Sequence, residues 1–149
     1  MAYIVEADIE GELSYSIAAT TQPTSTEVET IIADIEAEVD GVLYAAGVNV
    51  AGISLAATPI SFKVVRQWAL WGACSRVLAA AGGLVFNQGG KEEMYWERFK
   101  EKAKTVLANP RILGSDVPFA SSGAGLDIGG LKSTDDDYDD RVFDLDDEF

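Results

Sequence analysis

Between Pro23 and Ala46 the apolar residues return every three or four positions, at Val28, Ile31, Ile32, Ile35, Val39, Val42 and Leu43. Glu29, Asp34, Glu36, Glu38 and Asp40 fall mainly on the other faces. A period near 3.6 is that of an α-helix with one side buried and the other in water. The start is marked as well: Thr24, followed three residues later by Glu27, has the form of a capping box, in which hydroxyl and carboxylate satisfy early backbone donors. The helix is expected from Ser25 to about Ala46, and at 1.5 Å per residue it would be about 33 Å long. An element of that length needs partners to cover its apolar side.

Two further segments supply them. Thr58 followed by Pro59 reads as an N-cap with proline at the first helical position, where its missing N–H costs nothing. The helix expected there carries Phe62, Val65, Trp68, Ala69, Trp71, Gly72, Val77 and Leu78, apolar nearly all round, the pattern of a central helix buried on several sides. Gly72 and Ala73 would permit close approach of a neighbour. Gly82-Gly83 and Gly89-Gly90 bracket a loop, after which Lys91 to Ala108 reads as an amphipathic helix with Tyr95, Phe99, Ala103, Val106 and Leu107 inward, ended by Asn109-Pro110. Glu97 with Lys100, and Glu101 with Lys104, can pair along its surface. At the N-terminus, residues 3 to 10 read as a short helical or extended lead-in interrupted by Gly11. The alternation of Leu13, Tyr15, Ile17 and Ala19 is a weak strand pattern that an ordered loop would also produce.

Beyond Gly114 the composition turns to Ser, Gly and Asp. The expected organisation is therefore an all-α small bundle of about three to four helices over residues 1–114, followed by a long extended acidic C-terminal arm over 115–149. With 149 residues and 48% hydrophobic content, one such domain needs neither disulfides nor metals. Neither a signal peptide nor a run of the roughly 20 apolar residues that span a bilayer is apparent, so a soluble protein without membrane partners is expected.

Charge is sorted along the chain. Residues 1–62 hold ten acidic side chains and no basic one, residues 63–114 hold nine basic against four acidic, and residues 115–149 hold eleven acidic against two basic. The formal total of −14 disfavours nucleic-acid binding by the exterior as a whole, although the basic block leaves a local exception open. Opposite signs in separate blocks allow an acidic face of one copy to meet a basic face of the next, which steers and registers subunits more than it adds affinity.

Catalytic chemistry has little to work with. The chain has no His and one Cys, which removes imidazole acid–base chemistry, histidine triads and cysteine-cluster zinc sites. Cys74, within Trp71-Gly-Ala-Cys-Ser, reads as a small buried hydrophobe. Gly123, Gly125 and Gly129 do not keep dinucleotide-loop spacing, and no helix pattern follows them. Asp135, Asp137 and Asp139 have the spacing of the first calcium-loop ligands, but Asp140 stands where that loop needs glycine and Asp146 where it needs a bidentate Glu. No catalytic residue, metal site or cofactor is expected, and the chain reads as a protein other than an enzyme.

The arm is more than a solubilising tail. Tyr138, Arg141, Val142, Phe143, Leu145 and Phe149 are interleaved with Asp and Glu, and Phe143 and Leu145 alternate with Asp144 and Asp146. An extended segment of that pattern presents apolar groups on one side and carboxylates on the other, as peptides do when they add to a partner's surface. These six residues are the candidate partner-binding set.

The order and spacing of the run Pro23–Leu43, the loop to Pro59, the small-residue-rich second helix and the run Tyr95–Ala103 leading to Val106 and Leu107 resemble the head-to-tail connector, or adaptor, proteins of tailed bacteriophages. That resemblance covers residues 1 to about 114. It implies a helical bundle assembled as a homo-oligomeric ring of about twelve copies under the portal protein, in the virion neck between head and tail, with other neck or tail-completion proteins as partners. It also implies that DNA passes through the lumen without sequence-specific binding, that the subunit waits in the host cytoplasm during assembly, and that a C-terminal extension docks on the portal or a neighbour. Charge is compatible with a head-to-tail ring. Glu29 and Glu36 on the acidic helix, and Arg98 and Lys102 on the basic one, are the candidate subunit contacts. Alternatively the acidic side faces the lumen and keeps DNA from sticking. A second function class, an acidic DNA mimic that inhibits a DNA-binding enzyme, would also use the charge, but it favours a continuous acidic surface and here a basic block intervenes.

Overall fold

The computed structural model describes residues 2–82 and 90–120. Four α-helices follow one another: α1 (Glu6–Leu13), α2 (Ser25–Ala45), α3 (Pro59–Ala81) and α4 (Lys91–Ala108), with short 3₁₀ turns at Val50–Gly52 and Pro110–Leu113. The expected all-α bundle is the observed one. Among the described residues the sole β contact is an isolated antiparallel bridge between Val48 and Phe119.

Helix α2 begins as its sequence requires. The Glu27 N–H donates to Thr24 Oγ1 at 3.4 Å, and the Thr24 N–H donates back to Glu27 Oε2 at 2.7 Å. The Thr24 N–H, and after it the Thr24 hydroxyl donating to the same Oε2 at 2.9 Å, hold the Glu27 carboxyl below its ordinary range. Val28, Ile35, Val39 and Leu43 are buried along one line of the helix. Helix α3 is central, packing on α1, α2 and α4. Its Gly72 lies so close to its neighbours that a Cβ there would stand 2.7 Å from Phe99 Cδ2 and 2.9 Å from Ile35 Cδ1. The expected close approach at this glycine therefore joins three helices at one point. Cys74 is buried, and burial followed by the charge of Glu12 pushes its thiol up to about 12.

Two local expectations change. Gly11 does not interrupt the first helix, which runs through it to Leu13 and stops at Ser14 in the left-handed region with φ 52°. A mid-helix glycine costs only about 1 kcal/mol, and burial of Ile9 and Leu13 on either side offsets it. Of the two readings left open for the alternating stretch after it, the packed loop is the observed one, with Ile17 buried and its N–H bonded to Glu10 Oε1 at 2.7 Å.

The second change is at the start of α3. Thr58 does not cap the helix with its side chain; its Oγ1 instead ties the preceding loop, accepting the Ser54 N–H at 2.9 Å. The cap comes from Asp116, whose carboxylate accepts the Ile60 and Ser61 N–H groups, both at 2.9 Å, and the Ser61 hydroxyl at 2.6 Å. Residues just past Gly114, expected to belong to the arm, thus return to the bundle. The Asn49 N–H donates to the Pro118 carbonyl at 2.7 Å, and the Ala120 N–H to the Gly47 carbonyl at 2.9 Å.

Candidate functional site

Phe99 fixes α4 in place. Its ring lies 5.7 Å from that of Trp68 and is stacked at 5.3 Å on Trp96, while the Trp68 Nε1–H donates to the Phe99 carbonyl at 3.0 Å. Trp68 is fully buried, as its helical position indicated, whereas Trp71 and Trp96 are half-buried and line the two flanks of α4. On one flank Arg76 lies 5.9 Å from the Trp96 ring and also pairs with Glu38 of α2. On the other, Arg98 lies 5.8 Å from the Trp71 ring. A guanidinium over an indole face is drawn by the ring's negative quadrupole.

The two flanks differ in what they leave available. The cleft of about 520 Å³ around Ser75, Arg76, Ala79, Glu92, Glu93 and Trp96 has both charge signs in its wall. Its Arg76 already has an anionic partner, and its Ser75 hydroxyl donates to the Glu92 carbonyl at 3.0 Å. The groove on the far flank, of about 340 Å³, is formed by Trp71, Arg98, Glu101, Lys102, Thr105 and Ile112, so it too carries both signs, but with two cations to one carboxylate. Arg98 and Lys102 stand one turn apart on α4, and among the described residues neither makes an ion pair. Ile112 gives the groove an apolar edge and is 44% exposed. The two basic candidates from the sequence thus meet in one groove with an aromatic wall. The Trp71 side of that groove carried no sequence signal beyond its helical spacing.

The two acidic candidates separate. Glu36 is half-buried, and its Oε1 accepts both the Tyr3 and Ile4 N–H groups, the second at 3.1 Å. It fastens the N-terminal segment to α2 and is not the outward contact that was expected. Asp40 completes the clasp by accepting the Tyr3 hydroxyl at 2.6 Å. Burial, and then that bond, push the Tyr3 hydroxyl well above its ordinary range. Glu29 is exposed, as is Asp34, and no described residue pairs with either.

Part of the complementarity between charge blocks is satisfied inside one chain. Asp8 pairs with Arg66 at 2.6 Å and Glu38 with Arg76, each joining the acidic first block to the basic second one. The expected Glu97–Lys100 pair is present at 2.6 Å. Glu12 accepts the Tyr95 hydroxyl at 2.9 Å, and burial followed by this bond pushes that hydroxyl up to about 12. Exposed pairs of this kind contribute only about 0–1 kcal/mol each, so they orient elements more than they stabilise them.

The candidate arm residues Tyr138, Arg141, Val142, Phe143, Leu145 and Phe149 lie outside the described residues, as do the aspartates with partial calcium-loop spacing. Among the described residues no three His, Cys, Asp or Glu side chains are grouped to hold a metal ion, and no helix is long and apolar enough to cross a membrane. Compared with family models, curated proteins and solved structures, the chain has no match.

Proposed function

We propose that this chain is a structural subunit, not an enzyme, that assembles head to tail into a ring in the neck of a tailed phage, between portal and tail, with the genome passing through its lumen. The observation that carries the proposal is the pair of faces on one helical body. Arg98 and Lys102 form a basic groove on α4, and Glu29 and Asp34 stand outward on α2. A head-to-tail contact needs two different surfaces that complement each other, and it closes into a ring when its rotation allows. Opposite charge on the two surfaces registers the subunits and speeds their encounter. A ring of about twelve copies, with the portal protein and other neck proteins above and below, follows from the resemblance to connector proteins.

Charge reversal tests the pairing. Arg98→Glu with Lys102→Glu is expected to raise the concentration needed for assembly by about tenfold or more, and Glu29→Lys with Asp34→Lys to do the same. Mixing the two variants should restore mixed oligomers, because each supplies a face that complements the other's reversed one. Failure of the mixture to assemble, with each variant folded by circular dichroism, contradicts the pairing.

A further inference from the structure

The basic groove on α4 matches one anionic segment in particular, the C-terminal end of this same chain. The last described residue, Ala120, is held to the bundle by its N–H bond to Gly47, and residues 121–149 continue from that point. Residues 139–149 contain six acidic side chains and a single basic one, Arg141, interleaved with Val142, Phe143, Leu145 and Phe149. The acidic α2 repels such a segment, whereas the groove offers two cations without ion-pair partners among the described residues against one carboxylate, Glu101, beside Trp71 and Ile112.

The spacings agree as well. Arg98 and Lys102 are four helical residues apart, a rise of about 6 Å. Asp144 and Asp146, two residues apart in an extended chain, are separated by about 6.7 Å. The same extended chain turns Phe143 and Leu145 to the opposite side, where an apolar wall can take them. Long basic side chains at a rim can fold over the carboxylates while their stems cover apolar surface.

We infer that residues 139–149 dock in cis in the Trp71–Arg98–Lys102–Ile112 groove and keep it closed in the free subunit. Tethering favours the chain's own segment over another copy's. The roughly 18 residues from 121 to 138 have a root-mean-square reach of about 23 Å for a Gly- and Ser-containing composition. That is comparable with the width of a domain of this size, and such a tether gives an effective concentration in the millimolar range. A neighbouring subunit's acidic face then has to displace the segment, so assembly is held back until subunits are concentrated on a template. This consequence for assembly rests on the subunit reading above, whereas the docking itself does not.

The test uses the full chain, at a concentration where sedimentation shows a monomer. Phe143→Ser with Leu145→Ser is expected to shift the Trp71 indole N–H resonance and the amides of residues 98–105, leaving those of Ile35 and Gly72 unchanged. A synthetic peptide of residues 139–149 should bind this variant at least tenfold more tightly than wild type, whose groove is already filled, and adding Arg98→Glu and Lys102→Glu should remove the difference. An unmoved Trp71 resonance, or equal peptide binding by variant and wild type, overturns the inference. A Trp71 shift that grows with protein concentration also overturns it, by assigning the groove to the tail of a second copy. Oligomer mass at high concentration, read on the same samples, separates the two proposals: rings without cis docking retain the subunit reading alone, and cis docking without rings retains the latch alone.

Discussion

At the scale of single residues, the tightest constraint is Gly72. A small residue in the middle of an otherwise bulky helix announces close approach, and that much is legible from the sequence. Which neighbours approach is not, because Ile35 and Phe99 are distant along the chain and meet only through the crossing of α2, α3 and α4. Gly72→Ala puts a methyl group against the Phe99 ring and the Ile35 terminus, and overpacking of this kind costs about 1–3 kcal/mol. Chemical denaturation of the variant is expected to show that loss, with an unchanged m-value; a neutral or stabilising result would mean that Phe99 can move aside. Glu36 gives the opposite lesson. On a helical wheel it looks like any other solvated carboxylate of α2, and only the return of Tyr3 and Ile4 to that helix makes it an internal acceptor. A carboxylate's role depends on what arrives from elsewhere in the chain.

At the scale of elements, the boundaries of the long helices were readable because each carries its own start and stop chemistry. The Thr24–Glu27 box and Pro59 are local, and local physics is written in consecutive residues. The cap of α3 was not readable, since its acceptor, Asp116, lies 55 residues beyond Ser61 and nothing around it marks a helix terminus. Asp116→Ala is expected to lower Tm by about 3–6 °C, as loss of a helix cap does in a domain of this size. The pH dependence has a definite sign. Desolvation raises the Asp116 carboxyl, but the bonds from the Ser61 hydroxyl and from the Ile60 and Ser61 N–H groups outweigh it and leave the group below its ordinary range. Its contribution is therefore present above the ordinary carboxylate value, about pH 4, and is lost as pH falls through the lower folded value. Thermal melts of wild type and variant should differ at neutral pH and converge in acid. A gap that persists unchanged in acid would assign the effect to packing and not to the carboxylate.

For the whole molecule, the sorting of charge into blocks is a sequence property whose consequence depends on the fold. Two of its acid–base pairs, Asp8–Arg66 and Glu38–Arg76, close within the chain. Among the charges that no described residue pairs are Glu29 and Asp34 on one helix and Arg98 and Lys102 in the groove on another, together with the exposed Lys63, Lys91, Glu92, Glu93, Glu101, Lys104 and Arg111. The all-α class was legible because periodicity survives without knowledge of tertiary contacts. The groove was legible only in half, as two lysine- and arginine-bearing positions one turn apart, because its Trp71 wall and Ile112 edge come from other elements. In the proposed ring these two faces join copies of the chain. Native mass spectrometry of the full-length protein, alone and with a candidate portal protein, tests it most directly. A closed ring is expected, or a defined multiple bound to the portal, that dissociates as salt is raised and the exposed charges are screened. A persistent monomer at high concentration, indifferent to the portal, would contradict it, and displacement of DNA from a partner enzyme by that monomer would point to the acidic mimic instead.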